Sequence, residues 1–231
     1  MTLVLGALDS EVKTITERME VKRVYRWRGF PVREGLISGE PVVVSRSGVG
    51  KSLSAMVTQH LIDQYQPSRI IFTGVAGGLV PDVAIGDMII ASECIQHDMD
   101  ATSFGFEPGE IPYTRFRAIA CDPALLELAR GVELPEGRAH VGRILTGDQL
   151  VADASVRDAL VARFDGLAVE MEGASVGLVA AVNEIPFLLL RTISDTADES
   201  VADFANFIVV AAENSWHYLS RMLQRIKENR T

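Results

Sequence analysis

Two apolar runs in this chain end in groups that could move protons. Residues 168–198 read AVEMEGASVGLVAAVNEIPFLLLRTISDTAD, so Glu170 and Glu172 close the first run, and Arg191, Ser194 and Asp195 close the second. A strand buried in a core has no need of charge at its tip. Desolvating such charges costs several kcal/mol each, and pairing them often does no more than break even. An ion-pair network tying two strand ends together is the purely structural account of this set. Carboxylates crowded at a cleft edge are also good candidates for acid and base catalysis, and the cost of the structural alternative favours chemistry. Glu11 joins them as a third carboxylate. A glutamate in a helix's first turn commonly answers the helix dipole, but this one follows the first buried run and so falls on the same edge of a sheet.

Two glycine-bearing stretches border these residues. SRSGVGKS (45–52) falls one residue short of a phosphate-cradling P-loop, which needs glycine where Ser45 stands. The strand at 69–73 also ends in threonine and glycine, where such an enzyme needs aspartate for magnesium. The stretch therefore reads as a helix N-terminus with backbone N–H groups turned to the cleft and Val49 lining it. GVAGGL (74–79) fits either a plain tight turn or a close approach of ligand to backbone. Its position on the same sheet edge favours the ligand and brings in Val75, Ala76 and Gly77. Phe104, Phe106, Phe204 and Phe207 suit core packing, and the i, i+3 pair Phe204/Phe207 fits a pocket wall equally well.

The alternation of elements that must carry these groups is that of an α/β protein. A strand at 2–7 leads into a helix capped by Asp9 or Ser10. Antiparallel strands fill 21–46, with turns at Arg28-Gly29 and Ser38-Gly39. A helix spans 51–65, strands 69–74 and 86–96 follow, and 97–113 is long, irregular and aromatic-bearing, which in a compact domain points to function. A helix at 122–131, a strand at 139–145 and a helix at 153–163 lead into the 168–195 strand–helix–strand unit. That unit predicts parallel pairing, with ligands outside the carboxyl ends of the strands. One long helix, 201–229, ends the chain. No linker or repeat divides residues 1–231, so the sequence predicts a single domain around a mixed, largely parallel sheet flanked by helices.

With 231 residues, 48% hydrophobic and 23% charged, the composition is that of an ordinary globular protein. A net charge of -9 argues against nucleic acid or anionic membrane as a partner. Two cysteines, Cys94 and Cys121, leave no disulfide framework and suit a reducing cytoplasm. Four scattered histidines lack metal-ligand spacing. The N-terminus lacks the basic start of a signal peptide, and no apolar run is long enough to span a membrane.

GALDSEV, SGVGK, TGVAGGL, HDMDATSFGF, TGDQLV, VEMEGA and RTISDTAD together resemble, in order and spacing, the 5′-methylthioadenosine/S-adenosylhomocysteine nucleosidases of the purine nucleoside phosphorylase superfamily. The resemblance runs from Leu3 into the final helix. It implies a nucleoside phosphorylase-like fold, hydrolysis of the ribose–adenine bond, no metal or organic cofactor, and a homodimer. By the same resemblance Glu11 is the base that activates water, with Arg191 beside that water. Met171 and Glu172 contact the ribose, Asp195 protonates adenine N7 with Ser194 as its partner, and the Val151 backbone pairs with the adenine edge. Leu8, Val49 and Phe204 form the alkylthio pocket, and Phe104 and Pro112 come from the partner subunit. Val75 stands where many relatives have serine, and Leu150 replaces a purine-stacking phenylalanine worth about 0.5–1.5 kcal/mol. These departures bear on substrate preference, leaving 5′-deoxyadenosine or a futalosine-type precursor as further substrates. A phosphorylase, or a binding protein without turnover, are the competing readings of the same pocket.

Overall fold

The computed structural model describes residues 1–197 and 201–228, apart from the side chains of 201–206, 208 and 209. Four strands at its centre read as largely apolar runs because helices cover both of their faces. Strand β1 (Thr2–Gly6) lies between β4 (Glu40–Arg46) and β5 (Arg69–Gly78), parallel to both, and β5 continues in parallel with β10 (Phe187–Asp195). Outside β4 lie β3 (Phe30–Ile37) and β2 (Glu20–Trp27), both antiparallel. Their connections are two-residue turns in which Arg28, Gly29, Ser38 and Gly39 all take positive φ, the hand that matches the twist of a hairpin.

On the other side the sheet closes on itself. β10 pairs antiparallel with β6 (Met88–Gln96), β6 parallel with β8 (Ala139–Thr146), β8 parallel with β9 (Ala168–Glu170), and β9 antiparallel with β5. The short β7 (Ala118–Ala120) adds to β6, a strand absent from the sequence reading. This closure corrects the expectation for 168–195. The helix α5 (Gly173–Val182) does link β9 to β10, but β9 runs against β5 while β10 runs with it, so the unit is not a parallel crossover. The carboxyl end of β9 therefore comes back towards the middle of β10, to Arg191.

GVAGGL is also corrected. Residues 74–78 are strand, paired with β10 and β9, and no turn intervenes before Leu79. Glycine serves there because other side chains occupy the space: a Cβ on Gly74 would lie 2.4 Å from Glu11 Oε1, and one on Gly77 would lie 2.8 Å from Asp195 Oδ1.

The helices seat the site. α5 is made of small residues because it lies close on the strands, with Gly173 against Leu189 and Gly177 against Phe187. That fixes its first residue against the cavity. α1 (Asp9–Arg18) begins at Leu8, correcting the expected cap at Asp9 or Ser10. α2 (Lys51–Tyr65) follows Gly50, which holds a positive φ of 87°. α3 (Pro123–Arg130) and α4 (Ala154–Phe164) start at Asp122 and Asp153, whose carboxylates accept from backbone N–H groups of the first turn. In α6 (Val201–Glu228), Tyr218, Leu219, Met222 and Leu223 are fully buried in the main core. No helix among the described residues is long and apolar enough to cross a membrane. Cys94 and Cys121 are buried free thiols, and burial pushes Cys121 up to about 12.

Candidate active site

The carboxyl ends of β1, β5, β9 and β10 and the N-termini of α1, α2 and α5 meet around a cavity of about 140 Å³. Glu11, Glu172 and Asp195 all line it, with Leu8, Val49, Val75, Ala76, Gly77, Leu150, Glu170, Met171 and Ser194. A smaller recess, also lined by Gly77, Leu150 and Asp195, extends it to Val151.

Glu11 is buried and fixed by the backbone. The N–H groups of Ala7 and Leu8 donate to its Oε2 at 2.6 and 2.8 Å, and that of Val75 donates to Oε1 at 3.0 Å. The Leu8 N–H is an orphan donor at the start of α1, so the dipole reading and the site reading describe the same carboxylate. A carboxylate accepts at about four positions, so one lone pair of Glu11 stays available.

Arg191 is fully buried beneath these groups and is not among the lining residues. Its Nη2 donates to Glu170 Oε2 at 2.6 Å and lies 3.9 Å from Glu172 Oε2, while the guanidinium packs over Phe72 at 4.2 Å. Burial works against its charge, but Glu170, Glu11 and Glu172 outweigh it and raise the pKa further. Nε and Nη1 donate to no acceptor among the described residues. Glu170 also receives the Thr146 hydroxyl and the N–H groups of Glu172 and Gly173 at 3.1 and 2.7 Å. The ion-pair account thus describes Glu170 and Arg191 well.

Glu172 differs. Among the described residues its one hydrogen bond comes from the Gly50 N–H at 2.8 Å, at the head of α2. Burial first, and then Glu170, lift its pKa to about 8 against the opposing pull of Arg191 and the Gly50 N–H. The expectation that the SGVG segment turns backbone donors to the cleft holds through this contact. Nothing in the sequence reading anticipated that the next N–H, of Lys51, goes to Asp148 at 2.8 Å, or that Lys51 Nζ pairs with Asp98 at 2.6 Å. Thr146 and Gly50 were also missed as partners, although both fall inside motifs, TGDQLV and SGVGK. Main-chain donors such as the Gly50 and Lys51 N–H groups carry no signature of residue type.

Asp195 closes β10 after an irregularity between Ile193 and Asp195, where Ser194 is the extra residue. Bulges of this kind re-aim neighbouring side chains. The Ser194 hydroxyl donates to Asp195 Oδ2 at 2.8 Å and the Ala197 N–H to Oδ1 at 2.9 Å. Leu150, at the rim, is 72% exposed. Phe104 and Pro112 do not line the cavity of this chain: Phe104 is 83% exposed and Pro112 half-buried. The Phe204 side chain lies outside the described residues, and Phe207 is half-buried. Among the described residues no three His, Cys, Asp or Glu side chains converge as metal ligands.

Residues 2–224 match the phosphorylase superfamily. The 5′-methylthioadenosine/S-adenosylhomocysteine nucleosidase of Bacillus cereus strain B4264 is 36% identical over 230 residues, covering 97% of this chain and 98% of the relative. The crystal structure of the enzyme of that name from Neisseria meningitidis, in complex with methylthio-immucillin-A, aligns with a TM-score of 0.91 at 30% identity, covering 97% of this chain and 98% of that one. Futalosine hydrolase of Helicobacter pylori strain 26695 aligns with a TM-score of 0.89 at 30% identity, over 97% of both chains. With identity at this level along nearly its whole length, the chain belongs to the phosphorylase superfamily and, within it, to the 5′-methylthioadenosine/S-adenosylhomocysteine nucleosidases.

Proposed function

We propose that this cavity hydrolyses the N-glycosidic bond of 5′-thio-substituted adenine nucleosides, 5′-methylthioadenosine and S-adenosylhomocysteine, releasing adenine and a thioribose. The observation that carries the reading is the convergence of Glu11, Glu172 and Asp195 on one cavity. Cleavage of a sugar–base bond passes through an oxocarbenium-like centre, with an acid on the leaving side and a base on the attacking side. Asp195, steadied by Ser194, donates a proton to adenine N7, and the Val151 backbone pairs with the adenine edge in the recess. Glu11 takes the proton of the attacking water through its remaining lone pair. The unmatched Nη1 of Arg191 and Oε1 of Glu11 both lie against Gly74, and a water bridging them would accept from one and donate to the other. Glu172 holds the 2′ and 3′ hydroxyls beside Met171 at the sugar end of the cavity.

That orientation puts adenine at Asp195 and the 5′ substituent at Leu8 and Val49. The exposed Phe104, with Pro112, belongs to a second copy's cavity, making the working unit a homodimer. Two buried thiols suit a reducing cytoplasm. A phosphorylase is disfavoured because none of the described lining residues is Lys or Arg and the attacking side carries carboxylates, so a phosphate there would meet like charge. The Helicobacter pylori neighbour named futalosine hydrolase keeps a larger 5′ substituent as the second reading.

Adenine release in phosphate-free buffer, from methylthioadenosine, S-adenosylhomocysteine, 5′-deoxyadenosine and a futalosine derivative, tests this directly. Turnover of the first two without phosphate is expected. A strict phosphate requirement, or turnover of the futalosine derivative alone, would overturn the assignment.

A further inference from the structure

Outside the 5′ end of the cavity, two opposite charges flank its lining residues. Asp9 follows Leu8 directly. Arg46 closes β4 beside Gly6 and precedes Val49 by three residues. The Arg46 guanidinium packs over the Phe30 ring at 5.4 Å, which fixes its plane. Its Nε is buried and makes no hydrogen bond among the described residues, approaching Asp9 Oδ1 only as an ion pair at 3.5 Å. A buried donor left without an acceptor is costly, and a guanidinium is built to grip a carboxylate through paired donors. The Arg46 side chain is 34% exposed and that of Asp9 71%, so both can meet a ligand leaving the cavity.

We propose that Arg46 and Asp9 form the subsite for the α-amino-acid end of a 5′-homocysteinyl nucleoside, Arg46 taking the carboxylate and Asp9 the ammonium. The inference rests on the nucleosidase reading and on its orientation of the substrate. A methylthio group ends in a neutral methyl and has no use for these charges. A homocysteinyl arm ends in a zwitterion, and its carboxylate would otherwise approach a chain of net charge -9 through a cavity lined by Glu11, Glu170 and Glu172. Arg46 is the cation at that rim that makes the longer arm acceptable.

The test compares 5′-(3-carboxypropylthio)adenosine, which keeps the carboxylate and lacks the ammonium, with 5′-butylthioadenosine, its uncharged counterpart. The wild-type chain is expected to favour the carboxylate by about tenfold in kcat/KM, the scale of one charge-assisted hydrogen bond in partly open solvent. Arg46→Ala should erase that ratio, Arg46→Lys should restore most of it, and Asp9→Asn should lower only the preference for S-adenosylhomocysteine over the carboxypropyl compound. Because the first comparison uses the unaltered chain, a variant that fails to fold does not blunt it. Brisk turnover of the butylthio compound with no preference for the carboxylate would overturn the subsite alone. Failure to cleave any 5′-thioadenosine would overturn the nucleosidase reading and this inference with it.

Discussion

The sugar end and the base end of the cavity are built in different ways. At the sugar end the carboxylates are buried, and each has at least one partner from a distant part of the chain, alone or beside local ones: Val75 for Glu11, Gly50 for Glu172, Arg191 and Thr146 for Glu170. At the base end Asp195 is half-buried and held by its neighbours Ser194 and Ala197, beneath a largely exposed Leu150. The first end is set by the sheet and stands ready before a nucleoside arrives. The second is set by a bulge at a strand's tip and relies on the docked purine to complete it. Preorganised donors of the first kind contribute most where charge develops in the transition state, which is at the sugar.

The largest effects should come from the two proton-transfer groups. Glu11→Gln and Asp195→Asn are each expected to lower kcat on methylthioadenosine by about 10²–10⁴, with thermal stability near that of the parent, as read by adenine release and a melting curve. Equal activity in either variant would remove that residue from the mechanism. Next come the glycines that let each end close. An added Cβ at Gly74 meets Glu11 Oε1 at 2.4 Å and Arg191 Nη1 at 2.8 Å, groups locked in place by their partners. At Gly77 it meets Asp195 Oδ1 at 2.8 Å, which local contacts alone restrain. Gly74→Ala should therefore cost more kcat/KM than Gly77→Ala, with strain of about 1–3 kcal/mol at the former. The reverse order would break the distinction between a rigid and an adaptable end.

A smaller effect reports on Glu172. Its pKa is raised from an ordinary 4.5 to about 8 by burial and Glu170, so between those values the folded chain holds a proton that the unfolded chain has lost. Stability from this group is complete below the lower value and is lost as pH rises through the upper one. Melting temperature should fall from pH 5 to pH 8 in the unliganded protein, and Glu172→Gln should flatten that slope. The smallest effect is expected at the base end. Leu150→Phe restores a stacking ring and should lower KM for adenine nucleosides by up to about tenfold, an aromatic contact of roughly 0.5–1.5 kcal/mol, without changing kcat.

Much of this was legible in the sequence, because long apolar runs and capped helices declare themselves: α2 and the strands β1, β6 and β8 lie within a residue or two of their predicted bounds, while β5 and β10 run on well past theirs. The carboxylates that line the cavity were legible too, since charge at the end of an apolar run is expensive and therefore informative. Three things were hidden. A three-residue strand such as β9 has no periodicity, so its antiparallel pairing with β5 and the closed ring it completes could not be read. Glycines 74–78 look like a turn because residue type cannot distinguish conformational freedom from the lack of room that Glu11 and Asp195 impose. The helix start at Leu8 escaped because its donors are satisfied by Glu11 three residues on, not by a capping side chain at the first position.

The division of labour between the two ends can be measured with one change of leaving group. A 4-nitrophenyl 5-methylthioriboside departs without needing a proton, so it bypasses the acid and still requires the activated water. The account predicts that Asp195→Asn, crippled on methylthioadenosine, stays within about tenfold of the parent on this compound, while Glu11→Gln loses the 10²–10⁴ contributed by a general base on both substrates. Equal losses for Asp195→Asn on the two substrates would contradict it.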